Sequence, residues 1–234
     1  MLGAVGSSGK VGVGGKWMYK YIFFDLDGTL TQSEFGIMAA AVRALNYFGI
    51  QIPEKEILKK FIGPPLYVSF HDFYGLSEED SQKAIKIYRE YYVKEGVYQA
   101  PLYDGIKEML EELKAIGCIL MITTSKPETL AVTVAKNDGI FDYFDGIIGP
   151  ALDEHDPNKA ILIRRAMVKL GLTEHDLKDI IMIGDRFYDI EAACETGIDS
   201  IGVLYGYGSE DELKSAGATY IAKEVSEITK VIEQ

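Results

Sequence analysis

From Tyr19 onward the chain alternates short, almost uninterrupted apolar runs with segments of helical periodicity, and this alternation constrains the fold more than any other feature. Tyr21-Ile22-Phe23-Phe24, Cys118 to Thr123, Gly146-Ile147-Ile148, Ile180 to Ile183 and Ser200 to Leu204 are the predicted strands, with a short sixth at Thr219-Tyr220-Ile221. Runs without polar alternation belong to strands covered on both faces. Helices are predicted over 104–116, 127–138, 158–170, 187–196 and 224–233. Strand and helix in alternation imply an α/β fold with a doubly wound parallel sheet.

One interval breaks the rhythm. The 75 residues between Leu30 and Ile106 carry helical patterns at 36–49, 54–61, 66–74 and 78–95, punctuated by Gly49, Pro53, Gly63-Pro64-Pro65 and Gly75, and no strand pattern. An inserted helical unit is the economical reading, with 19–34 and 100–234 as the core and 35–99 as the insertion. The alternative is that these helices simply cover one face of the sheet. Residues 1–18 read as a flexible leader. The first sixteen hold six glycines, two serines and two lysines, too little apolar surface to offset the entropy of ordering. A phosphate-cradling G-x-x-x-x-G-K-[ST] loop is excluded there, because Gly15-Lys16 has Lys10 five residues before Gly15 and is followed by Trp17.

Charge narrows the function. Thirty-six acids against 24 bases leave −12, a field that repels nucleic acid. No apolar run approaches the roughly 20 residues of a membrane span, and no signal-peptide h-region is present at the N-terminus. The reading is a cytoplasmic chain working as monomer or homodimer, in which Cys118 and Cys194 are small buried groups in a reducing compartment.

Acids at strand ends carry the chemistry. Asp25-Leu26-Asp27-Gly28-Thr29-Leu30 follows the first strand, where an open parallel sheet binds its ligands. Two carboxylates at i and i+2 lean to one face, and like charges that close would drive their proton affinities apart, suiting a nucleophile beside a general acid. Ile183-Gly184-Asp185-Arg186-Phe187-Tyr188-Asp189 repeats the arrangement at a later strand end. Convergence of Asp25, Asp27, Asp185 and Asp189 on one rim would demand a cation, and oxygen ligands favour Mg2+. Thr123-Thr124-Ser125-Lys126-Pro127 places hydroxyls and amides at the start of a helix, an anion site. Lys159 opens a helix, against the helix dipole, and opposite Asp25 it would hold a phosphate.

These segments, in this order, resemble the four motifs of the haloacid dehalogenase superfamily of phosphohydrolases: Asp25-x-Asp27-Gly28-Thr29, Thr124, Lys159, and Gly184-Asp185-Arg186-x-x-Asp189. The resemblance covers the chain from Tyr19 onward and implies a Rossmann-like core under a helical cap. It implies that Asp25 is the nucleophile and Asp27 the general acid and base. Mg2+ would be held by Asp25, Asp185 and the main-chain carbonyl of Asp27, with Asp189 behind them. Thr124, the Ser125 amide and Lys159 would bind the phosphoryl group, with Thr123 as the fallback register.

Asp27 favours phosphate monoesters over halides, since a halide leaves without a proton. Ile62-Gly63-Pro64-Pro65-Leu66 with Ser69-Phe70, Tyr103-x-Gly105-Ile106, and Gly202-Val203-Leu204-Tyr205-Gly206-Tyr207-Gly208 resemble the phosphoglycolate phosphatase and 5′-nucleotidase-like branch. Gly63 and Pro64 are accordingly expected at the substrate, and the tyrosine-glycine loop is divided between substrate contact and structure. Gln32 departs from that branch, which commonly carries an acid there. The alternatives are a phosphosugar mutase resembling β-phosphoglucomutase and a non-catalytic binding protein on the same fold.

Overall fold

The computed structural model describes residues 19–52, 54–152 and 158–233; the expected leader at 1–18 and the punctuating Pro53 lie outside them. The strands are β1 (Tyr21–Phe24), β2 (Ile119–Thr123), β3 (Gly146–Ile148), β4 (Ile180–Gly184), β5 (Asp199–Val203) and β6 (Tyr220–Ala222). Helices α1 (Glu34–Tyr47), α2 (Lys55–Leu58), α3 (Leu66–Val68) and α4 (Glu78–Tyr92) follow β1. After them come α5 (Ile106–Ala115), α6 (Glu128–Asn137), α7 (Lys159–Lys169), α8 (Phe187–Thr196), α9 (Glu210–Ser215) and α10 (Ile228–Ile232).

All six strands are parallel, in the order β3-β2-β1-β4-β5-β6. Period-two alternation sends Phe23, Met121, Ile180 and Met182 to one face, where Ala160, Ile163 and Ala166 of α7 and Ala192 and Ala193 of α8 cover them. Ile22, Phe24, Leu120, Ile122, Ile181 and Ile183 face the other way, onto a cluster containing Leu110 of α5, Leu130 of α6 and Ile228 of α10. Both faces are buried, as the uninterrupted apolar runs require. The chain runs outward from β1 through β2 to β3, then crosses back to β4 on the other side of β1. That reversal opens a crevice at the C-terminal ends of β1 and β4.

Between β1 and α5 the described residues form helices and no strand. Buried residues of α1 (Ile37, Ala41, Ala44, Leu45) and α4 (Ala84, Ile85, Tyr88) join the same apolar cluster as Ile22 and Phe24. The two connecting segments lie side by side. Gln32 donates its amide to Pro101 O (2.7 Å) and its side chain to Leu102 O (3.1 Å), and the Tyr103 amide donates to Leu30 O (3.1 Å). Gln32, the departure from the acid common in the resembled branch, thus ties the two crossings together.

The predicted helices differ mainly at their ends. The 54–61 pattern splits into α2 and a tight 3-10 turn at Lys59–Phe61, and the 66–74 pattern becomes α3 running into a wider π turn at Ser69–Phe73. Helix α9 had no prediction because only Leu213 of its six residues is buried, leaving no apolar period to read; Ser209 caps it through the Glu212 amide. Cys118 is buried as expected, but Cys194 is exposed on α8, where the inward positions belong to Ile190, Ala192, Ala193 and Thr196.

Gly36 of α1 meets Gly96 backbone to backbone, and a methyl group on Gly36 would overlap the Gly96 carbonyl. Gly36→Ala should therefore destabilise the protein by about 1–3 kcal/mol, the usual cost of overpacking. Urea unfolding checks this against Gly49→Ala, where the added methyl meets nothing within 4 Å and the cost arises only from the positive φ.

Candidate active site

The Asp25 amide donates to Ile183 O at 2.9 Å, continuing the β1–β4 ladder one residue past the strand. The acid is thereby set beside the end of β4, where Gly184 leads into Asp185. The chain then turns sharply, with the amides of Leu30 and Thr31 both donating to Leu26 O at 3.0 Å. Gly28 has φ +91°, and a side chain there would overlap the Asp185 carboxylate. Glycine serves both the turn and the approach of the second acid.

Asp185 is fully buried. Its Oδ2 accepts the Tyr207 amide (2.8 Å) and its Oδ1 the Thr29 hydroxyl (3.3 Å). Side chains at Gly206 or Gly208 would collide with Asp185, so the Tyr205-Gly206-Tyr207-Gly208 loop wraps that residue. The Tyr205 hydroxyl donates to Thr29 O at 3.0 Å, and the Tyr207 oxygen accepts the Glu34 amide at 3.1 Å. This loop therefore holds a site acid in place, and none of its residues lines the cavity that contains Asp25.

Asp189 is the third residue of α8 and accepts the Arg186 amide at 3.2 Å, closing the N-terminus of that helix. Lys159, the first residue of α7, follows the cap Asn158. Its ammonium lies 2.7 Å from Asp25 Oδ1 and 2.7 Å from Asp189 Oδ1. Oxygens of Asp25, Asp185 and Asp189 all lie within 4.8 Å of one another, the one such cluster of potential metal ligands among the described residues. The sequence reading thus placed Asp25, Asp185, Asp189 and Lys159 together, and the structure brings them together.

Burial pushes the Asp185 carboxyl well above the usual carboxylate range, reinforced by Asp189 and Asp25. Burial also lifts Asp189 to about 6, against the pull of Lys159. For Lys159, burial works against the charge, but Asp189 and Asp25 outweigh it and raise the group above an ordinary lysine. Three buried carboxylates face one ammonium, and burial penalises each uncompensated charge. This donor set fits a divalent cation with oxygen ligands.

The Asp27 carboxylate stands outside the cluster. Lys126 grips it, with Nζ 2.6 Å from Oδ1 and in contact with Oδ2. The expected like-charge pair of Asp25 and Asp27 is therefore two ion pairs, each acid with its own lysine. A metal contact by Asp27 would fall to its main-chain carbonyl, as the sequence reading had it.

Thr124 is buried, its hydroxyl accepting the Lys126 amide at 3.2 Å. Its own amide donates to Ile148 O, and the Glu128 amide to Pro150 O, both at 3.0 Å. The expected run of amides open to an anion at the start of α6 is thus largely committed within the protein, because the loop is knitted to β3 and the segment after it. Thr124, Ser125, Gly63 and Pro64 all line one cavity of about 140 Å3 with Asp25, Asp27 and Lys159. The helical segment between β1 and α5 supplies its aromatic wall, including Phe61, Tyr67, Tyr88 and Tyr92. Arg186 spans the two parts: its Nη1 donates to Ile62 O (3.0 Å) beside Gly63, while Glu212 accepts from its Nε (2.8 Å). Sequence reasoning missed Lys126, Tyr92 and Arg186 as site members. The signals were a lysine after Thr-Thr-Ser, tyrosines at 88 and 92 one helical turn apart, and an arginine between two acids.

The sequence of residues 22–203 matches the model of the haloacid dehalogenase-like hydrolase family. The chain belongs to that family. A 5′-nucleotidase of Pseudomonas aeruginosa is 39% identical over 216 residues, 92% of this chain and 96% of the relative. Tyrosine-protein kinase PtkA of Mycobacterium tuberculosis is 34% identical over 86% of this chain and 67% of its own length. A phosphoglycolate phosphatase of Vibrio parahaemolyticus is 30% identical over 91% of this chain and 96% of its own length. The crystal structure of a predicted phosphatase from Clostridium acetobutylicum superposes with a TM-score of 0.87 at 42% identity, covering 93% of this chain and 100% of that one. The superfamily resemblance and the Rossmann-like fold read from the sequence are borne out, and the chain is a member of a hydrolase family. Among the described residues no helix is long and apolar enough to cross a membrane.

Because Asp189 binds its proton more tightly folded than unfolded, its contribution favours the folded state below the ordinary aspartate value of 3.8 and is lost as pH rises to about 6. In metal-free buffer the melting temperature of the protein should fall across this window relative to Asp189→Asn. Addition of Mg2+ at pH 7 should recover more of that loss in the unaltered protein than in the variant. Calorimetry of both across pH checks this.

Proposed function

We propose that this family hydrolase is a Mg2+-dependent phosphatase of small, soluble phosphate monoesters, of the phosphoglycolate phosphatase or 5′-nucleotidase kind, working through an aspartyl-phosphate. The observation that carries the reading is Asp25 at the strand-order reversal, 2.7 Å from Lys159 and within 4.8 Å of Asp185 and Asp189. Asp25 attacks phosphorus as the bond to the leaving oxygen breaks, and Asp27 gives that oxygen its proton. Asp27 then takes a proton from the water that cleaves the acyl phosphate. Thr124, the Ser125 amide and Lys159 hold the phosphoryl oxygens, placing hydrogen-bond donors where negative charge is spread.

Asp25, Asp185 and the Asp27 main-chain carbonyl would hold Mg2+, with Asp189 behind them. When bound, the ion neutralises charge on the transferring group and lets a buried carboxylate approach an anion. Residues 35–99 serve as a cap over a core of 19–34 and 100–234, with Gly63 and Pro64 at the leaving group and water kept out during transfer. The enzyme is assigned to the cytoplasm, as a monomer or homodimer without nucleic-acid partners.

Phosphate release from 2-phosphoglycolate, nucleoside monophosphates and p-nitrophenyl phosphate, with Mg2+ or with EDTA, tests this reading. Turnover should require the ion, and Asp25→Asn should fall to the assay background while melting cooperatively. An Asp25→Asn variant with ordinary activity would remove the covalent mechanism. Isomerisation of a sugar phosphate without phosphate release would replace the phosphatase by a mutase.

A further inference from the structure

The mechanism above uses Asp27 but none of the groups that hold it. Lys126 is 8% exposed and Tyr92 3% exposed. The ammonium contacts both oxygens of Asp27 and lies 2.7 Å from the Tyr92 hydroxyl oxygen, which accepts from it. An ammonium has three hydrogens, and here each has an acceptor. Lys126 therefore has a single placement, set from one side by the acid and from the other by the tyrosine.

Tyr92 is itself fixed. It closes α4, Tyr88 stacks on it one turn earlier with ring centres 5.4 Å apart, and a side chain at Gly96 would press on its ring. The acid follows β1, the lysine follows β2, and the tyrosine comes from the helical insertion. Arg186, with its bond to Ile62 O, is a second tie between the insertion and the loop after β4, independent of this one.

We infer that Lys126 and Tyr92 are positioning residues for proton transfer by Asp27, and that the acid is aligned only when α4 occupies its place over the site. The inference rests on the reading of Asp27 as general acid. As the bond between phosphorus and the leaving oxygen breaks, its electron pair stays on that oxygen and takes the Asp27 proton. The negative charge then appears on Asp27 next to the Lys126 ammonium, and the two-oxygen contact seen in the structure is that of this product carboxylate. The alignment comes from Tyr92, so a helix that walls the leaving-group side of the cavity also orients the acid that serves the leaving group.

The test is dependence on the leaving group. p-Nitrophenolate departs without a proton, whereas the alkoxide of an alkyl phosphate needs one. General acid catalysis contributes on the order of a hundredfold or more, so kcat/KM for the best alkyl phosphate, which ends with loss of the leaving group and leaves out the hydrolysis that Asp27 also serves, should fall about tenfold in Tyr92→Phe and about a hundredfold in Lys126→Met. For p-nitrophenyl phosphate kcat/KM should stay within about threefold of the unaltered enzyme in both variants, a small part of that catalytic factor, while kcat falls for either substrate where the hydrolysis served by Asp27 limits turnover. Tyr92→Phe keeps the packed ring, so the experiment survives if Lys126→Met melts early. Equal losses of kcat/KM on both substrates would overturn the inference. Asp27→Asn separates the two levels. Leaving-group dependence in Asp27→Asn but in neither other variant sinks only the positioning role; its absence in Asp27→Asn sinks the reading of Asp27 as the acid as well.

Discussion

Lys159 bridging Asp25 and Asp189 is the interaction on which the site depends. Three acids buried within 4.8 Å of one another would repel in any medium, and burial makes the repulsion severe. The protein meets part of the cost with one lysine and with bonds from the Tyr207 amide and Thr29 hydroxyl to Asp185. The remaining negative charge is an affinity for a cation built into the fold. Idle carboxylates do not persist in such a position, so the electrostatic cost and the function have the same origin.

The glycines near this cluster follow from that crowding. Gly28, Gly206 and Gly208 stand where any side chain would strike Asp185, and Gly184 where one would strike Asp189. Backbone approaches this close put amides within reach of the carboxylates, as the Tyr207 amide shows. The same economy appears where α1 crosses Gly96, since two glycines let the backbones touch and bring Tyr92 down toward Lys126. The helical segment between β1 and α5 is thus joined to the loops at the strand ends by the paired crossings at Thr31 and Leu102, by Arg186 to Ile62, and by Tyr92 to Lys126.

Most of the architecture was legible in the sequence because parallel strands buried on both faces leave a signature that needs no partner to be read. Strand positions fell within one or two residues, and the acids at strand ends followed directly. Errors gathered where the signal depends on context. Helix α9 buries one side chain, and the segments after α2 and α3 change their winding under packing that no local period records. Cys194 lies outward on a helix whose inward face is set by its neighbours.

Within the site the division is sharper. Asp25, Asp185, Asp189 and Lys159 were readable because each occupies an uncomfortable place in its own element: an acid after a buried strand, or a lysine at a helix N-terminus. Lys126 sat in plain view after Thr-Thr-Ser, yet its partner is 99 residues away, and its third bond goes to a helix from the insertion. The sequence alone determined the parallel sheet, the order of its strands along the chain and the acids at their ends, because these follow from local burial and strand periodicity. Only the tertiary structure decided that Asp27 turns to Lys126 rather than to the cluster, and that Tyr92 stands behind it. Such pairings are chosen by charge compensation among groups that meet only after the chain has folded.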